Sequence, residues 1–277
     1  MKNILLLTDF SDTSKNAIRY ALELFKDEHC TFYVLYVQDA TTYTTDDVVA
    51  TASSSLYDSL INKNRIKLAT YVSDLKAEYD VEHFNFKTIV DFDSFIAAIH
   101  QSIKTKDIDV IVMGTNGATG AKETVFGSNT LKVIRRVNCT TLIIPENFAY
   151  VAPKEMLLAL DPSDQLNGKA IADFFKFLKR HSTRLHVLRV SSESDTHELP
   201  DTDKKNLNHY MTGENYLYDL VENIPMEHAV DTYIQTHQID MLSLIVQKES
   251  FLERLFVGSP TTKINQNTHL PLLIFHS

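Results

Sequence analysis

Four of the chain's seven glycines, Gly114, Gly117, Gly120 and Gly127, fall inside the stretch GTNGATGAKETVFG, and Ser128, Asn129 and Thr130 follow at once. Glycine serves where a backbone takes positive φ or lets something approach closely. A loop so composed exposes bare amides, and the three polar side chains behind it add donors. The chemistry is anion binding. A phosphate chain accepts hydrogen bonds from such groups, and a helix opening at Ser128 adds its dipole. Asp9, in the run LLLTDFSD, is the one carboxylate expected beside this cradle. No further group there reads as a general base, so binding is implied and strong catalysis is not.

Commoner phosphate motifs do not fit. A Walker A loop needs Gly-x-x-x-x-Gly-Lys-[Ser/Thr], but Lys122 follows Ala121 and no two glycines of the loop have that separation. A dinucleotide fingerprint needs Gly-x-Gly-x-x-Gly after the first strand of its unit. Here the order is Gly-x-x-Gly-x-x-Gly, and it follows the fourth strand. The first strand ends in TDFSDTS, which also lacks the Ser-Gly-Gly loop of ATP pyrophosphatases.

The elements that must position the loop read as alternating strands and helices. Apolar, β-rich runs lie near 3–8, 31–37, 84–90, 108–113 and 140–145, with helical patterns near 13–27, 55–79, 93–106 and 128–137. SDTS caps the first helix, whose apolar residues recur at three- and four-residue spacing. The plan then repeats, with strands near 155–160, 184–190, 215–221, 240–246 and 271–275. KNILLLTDFSD (2–12) aligns with KEMLLALDPSD (154–164), 84–99 with 215–230, and 106–128 with 237–259, in the same order and without gaps. The chain is therefore two homologous halves, 1–146 and 154–277. The expected class is α/β: two tandem domains, each a five-stranded parallel sheet with helices on both faces. The second is shortened, because the polar segment SSESDTHELPDTDKK reads as a loop that replaces most of one helix.

The remaining chemistry-bearing residues read as structural. Cys30 and Cys139 make no metal or redox pair, as expected of reduced thiols in a cytosolic protein. The eleven histidines show no ligand spacing and read as surface or boundary residues. Asp91 and Asp93 follow the third strand, where they could reach a nucleotide or a metal ion; the favoured reading of Asp93 is the N-cap of SFIAAIH. A net charge of −9 with no basic cluster argues against nucleic acid. No apolar run approaches the length of a membrane span, and no cleavage site follows the short apolar start. The expected location is the cytoplasm.

The spacing Gly114-x2-Gly117-x9-Gly127-Ser128 resembles the ATP-binding signature of the universal stress protein family. Thr8-Asp9-Phe10-Ser11 after the first strand, VLYVQD at the second and TTLIIP after Asn138-Cys139 are similar to that family too. The resemblance covers 1–146 well and 154–277 more loosely, as a tandem pair. It implies ATP or a related adenine nucleotide, with or without Mg²⁺. Asp9 would contact the nucleoside and backbone near Val37 the adenine. The glycines with Ser128, Asn129 and Thr130 would hold ribose and phosphates. Leu7 stands where some ATP-binding members have proline.

In the second half Gly114 becomes Ile245, Gly117 becomes Lys248 and Gly120 becomes Phe251, while Gly127-Ser128 survives as Gly258-Ser259. Ile at a position where the aligned glycine points to positive φ would be strained, and Lys248 and Phe251 would crowd a phosphate, so this half is not expected to bind ATP in the same way. The favoured function is a nucleotide-binding stress or regulatory protein. The alternatives are a slow ATPase or phosphotransferase, and a dimerisation or protein-binding scaffold with a vestigial site. Both apolar last strands would be exposed edges. In family members such edges pair antiparallel across a dimer, so a tandem chain is expected to pair its own or to form a homodimer.

Overall fold

The computed structural model describes residues 1–38, 54–79, 82–115, 126–191, 199–211, 216–246 and 270–276. Gly117, Gly120, Lys248, Phe251, Gly258, Ser259 and residues 192–198 of the polar segment lie outside them. By contacts the chain divides into two units, Met1–Cys139 and Thr140–Ser277.

The first unit alternates β1 (Lys2–Leu7), α1 (Asp12–Leu24), β2 (Cys30–Val37), α2 (Ser54–Glu78), β3 (Phe84–Asp91), α3 (Phe95–Lys106), β4 (Val110–Gly114) and α4 (Ser128–Arg136). Its strands run parallel in the order β3-β2-β1-β4. The register sets Lys2 opposite Cys30 and Ile4 opposite Val110. Ile4, Leu5 and Leu6 have no exposed surface, and each such side chain removed from water stabilises by about 1.5–3 kcal/mol. Ser11 caps α1 by accepting from the Ser14 N–H at 3.2 Å, and Ala17, Ile18, Ala21 and Leu22 face the core. Arg19 clamps the far end of α2 through two bonds to Glu78, at 2.9 and 3.0 Å.

The second unit contains β5 (Thr140–Ile144), β6 (Glu155–Leu160), α5 (Gly168–His181), β7 (Arg184–Ser191), α6 (Leu199–Tyr210), β8 (Tyr216–Glu222), α7 (Met226–Thr236), β9 (Met241–Val246) and β10 (Leu272–His276). Strands β10-β9-β6-β7-β8 run parallel in that order. β5 lies antiparallel on β10, with Leu272 opposite Ile143 and Ile274 opposite Thr141. The last strands of the two sequence halves thus pair with each other, and this pairing draws β5 into the second unit.

Three readings need correction. The second half is shortened as expected, with 12 residues in α6 against 25 in α2. Its polar region is not all loop, however, because α6 is anchored from outside itself: Asp203 receives a buried arginine, Leu207 is fully buried, and Tyr210 stacks on Phe175 at 4.6 Å. Tertiary contacts override a composition that reads as loop. Asp93 is not the cap of α3. Ser94 takes that place, and the Asp93 carboxylate accepts the Ser94 N–H at 2.7 Å. His186 is not a boundary residue. It is 4 % exposed, joined to Glu155 at 2.8 Å and to the Tyr233 hydroxyl at 3.1 Å.

Candidate functional site

In the first unit the strand order turns back at β1, with β2 on one side and β4 on the other. Open parallel sheets bind ligands beyond the carboxyl ends of strands at such a reversal. Thr8, Asp9, Val37 and Gly114 all lie at those ends.

Each is held differently. Thr8 is buried, its hydroxyl bonded to Ser14 at 3.1 Å and accepting the Phe10 N–H at 3.0 Å. Asp9 is exposed, and one carboxylate oxygen accepts from the N–H and hydroxyl of Ser11, at 3.0 and 2.5 Å. Phe10 takes a left-handed backbone, φ 65°. Its ring lies 4.9 Å from that of Tyr36, with the Lys67 ammonium 3.9 Å from its centre. A groove of about 450 Å³ runs beside it, lined by Lys15, Lys67, Tyr71 and Asp74. The sequence offered no signal for this aromatic and cationic wall. A bulky residue at positive φ is uncommon, and the type alone does not reveal it.

Gly114 does not take positive φ; among the described glycines Gly168 does. Its smallness serves close packing instead. A Cβ there would stand 2.6 Å from Thr13 Cγ2 and 3.1 Å from the Thr13 carbonyl oxygen. Gly114→Ala is therefore expected to destabilise the protein by about 1–3 kcal/mol through overpacking. Urea denaturation checks this, and a cost near zero would show that α1 shifts freely. Ile245, its counterpart, is fully buried in β9 opposite Phe275 and is not among the residues with positive φ, so it carries no φ penalty of the kind expected from the sequence.

The two ends of the glycine loop are tied together. The Gly127 N–H donates to the Thr115 carbonyl at 2.7 Å. The Thr130 hydroxyl donates inward to the carbonyls of Thr115 at 2.8 Å and Gly114 at 3.2 Å. Thr130 is thus a buried tie, and its hydroxyl is spent on the backbone. Ser128 and Asn129 are exposed at the start of α4. Among the described residues no side chain caps that helix, since its N-cap is Gly127, whereas α1 has Ser11. The first-turn amides of an uncapped helix, with their partial positive charge, suit an anion. These residues fit a phosphate-bearing group.

The second unit repeats the turn and fills the space. Asp161 accepts from the Ser163 N–H at 2.7 Å and hydroxyl at 2.6 Å, as Asp9 does from Ser11. Leu7 pairs with Leu35, and its counterpart Ala159 with Leu188, so Arg189 stands where Tyr36 stands in the first unit. Its fully buried guanidinium donates to the Asp161 and Asp164 carbonyls and makes two bonds to Asp203, at 2.8 and 2.6 Å. Tyr218 adds its hydroxyl to Asp203 at 2.7 Å. An internal ion pair occupies this corner of the second unit.

Burial pushes the Asp164 carboxyl up to about 7. An unfolded aspartate ionises near pH 4 (about 3.9). Between these values the native state holds a proton that the unfolded state has released, so the contribution to stability falls as pH rises through this window. Asp164→Asn removes the ionisation while keeping an acceptor for the Asp161 N–H (2.8 Å in the parent). Its stability relative to the parent is expected to rise by about 2–4 kcal/mol between pH 4 and 8. Denaturation curves that stay parallel across that range would refute this.

The fold defines the class: an α/β protein with a mostly parallel sheet whose strand order reverses at β1 in the first unit. The chain belongs to the universal stress protein family, whose model matches residues 1–145. A universal stress protein of Methanocaldococcus jannaschii is 27% identical over 144 residues, covering 52% of this chain and 81% of its own. One from Synechocystis sp. is 24% identical, with 99% of this chain and 100% of its own covered. The crystal structure of a universal stress protein from Archaeoglobus fulgidus superposes with a TM-score of 0.75 at 16% identity, over 99% of this chain and 98% of that one, which establishes the fold. Among the described residues no helix is long and apolar enough to cross a membrane, and no group of three or more His, Cys, Asp or Glu is placed to hold a metal ion.

Proposed function

We propose that the chain is a regulatory, stress-responsive protein of the cytoplasm that holds one adenine nucleotide, ATP or a relative, in the domain formed by residues 1–146. Asp9 contacts the nucleoside, and the backbone at Val37 meets the adenine. Gly117 lets the loop approach the phosphates, Gly114 leaves room for Thr13 behind it, and the first-turn amides at Ser128 and Asn129 receive them, with Gly127 closing the loop onto Thr115. Thr8 and Thr130 act behind these residues, fixing the turn and the loop ends. The observation that carries this reading is the uncapped start of α4, set beside a loop whose ends are closed by Gly127 and Thr115. The second domain, 154–277, serves as a partner that supplies β10 to β5. Through that pair the chain forms within itself what relatives would form as a dimer.

Calorimetric titration with ATP and Mg²⁺, after mass spectrometry of the purified protein, tests it. One site per chain with nucleotide retained over hours is the expected result. Absence of saturable binding would overturn the reading, and rapid hydrolysis would favour the enzyme alternative.

A further inference from the structure

The second unit has a cleft of about 920 Å³ at the amino ends of β6 and β7, the opposite end from the turn that Arg189 fills. Lys154, Lys176, Lys179 and Arg184 line it, and among the described residues the single acid in its lining is Glu155. That carboxylate is engaged, by Arg184 at 3.3 Å and by His186 at 2.8 Å. Of the lysines, Lys176 shares Asp173 with Lys169. In a chain whose net charge is −9, four cations on one concave surface, two of them paired to Glu155 and Asp173, leave a local excess of positive charge at Lys154 and Lys179, which concentrates anions. Cations in the last turn of a helix also balance its dipole. This accounts for Lys179 on α5 but not for Lys154 and Arg184, which come from the starts of two strands. The wall beside them is apolar: Phe175 and Tyr210 stack with ring centres 4.6 Å apart and 7° between their planes.

We propose that this cleft binds a small phosphorylated metabolite, its phosphate held by the lysine and arginine side chains and its organic body against the Phe175–Tyr210 wall. The volume lies in the usual range for small-molecule sites, about 300–1,000 Å³. The proposal is independent of nucleotide binding in the first domain.

Titrating the full-length ¹⁵N-labelled chain with 1-naphthyl phosphate tests it. The amides of Ser182, Thr183 and Met211, which border the cleft, are expected to shift saturably with a Kd below about 1 mM. Lys154→Glu/Lys179→Glu, made at two exposed positions, is expected to weaken this binding about ten-fold or more without lowering the melting temperature, each ten-fold being about 1.4 kcal/mol. Gly127→Val is expected to leave it unchanged. No saturable shift at those amides, or the same affinity in the double variant, would overturn the proposal.

Discussion

Asp203→Ala is expected to destabilise the protein by about 3–5 kcal/mol, because it leaves the Arg189 guanidinium buried without its counter-charge. Arg189 has no exposed surface and would keep the neutral carbonyl acceptors of the 161–164 turn but lose its carboxylate. The Tyr218 hydroxyl would lose its acceptor as well. Taking both charges away together has a different consequence. Arg189→Met with Asp203→Leu is expected to be neutral or stabilising by about 1–4 kcal/mol, since an apolar pair avoids the desolvation of two ions. Chemical denaturation of the two variants side by side decides the matter. If Asp203→Ala lies within about 1 kcal/mol of the parent, the guanidinium has found water and the plugged corner is not closed.

Gly127→Val is expected to lower nucleotide affinity by on the order of 100-fold with little effect on folding. The Gly127 backbone, φ −65° and ψ 161°, is one that valine adopts readily. Its N–H can still reach the Thr115 carbonyl. What changes is the approach to the first turn of α4, where a branched side chain would cover the amides proposed to receive phosphate. Losing one or two charge-assisted bonds is worth about 3 kcal/mol. Calorimetry with ATP gives the affinity and circular dichroism the fold. Unchanged affinity in a folded variant would place the phosphates elsewhere.

Much of the fold could be read from the residues. The inner strands β1, β4, β6 and β9 are apolar runs bounded by polar punctuation, so their order followed from composition and period, while β3 and β8 carry charged residues and were placed by the alternation and the repeat. That β5 and β10 are edges needing cover was legible from Leu142 to Ile144 and Leu272 to Ile274; that they pair antiparallel with each other came from the family resemblance, with a homodimer as the other possibility. The helix α6 was not legible, because what holds it is an arginine in β7, ten residues before its first turn. A lone Arg in the run LHVLRVS reads as an outward-facing residue of a strand. Its role depends on which carbonyls lie under it. The reason for Gly114 was likewise hidden: the obstacle is Thr13, about one hundred positions away in the chain. The donors of the candidate site were visible as types, yet only the fold separates Ser128 and Asn129, which face solvent, from Thr130, which is turned inward.

The pairing of Leu142 with Leu273 sets an order of events during synthesis. β5 leaves the ribosome some 130 residues before the strand that shields it, an interval of roughly 7–26 s at about 5–20 residues per second. Throughout that time the nascent chain displays a bare apolar ribbon, open to chaperones or to the same ribbon on a neighbouring polysome product, and only the arrival of β10 closes it.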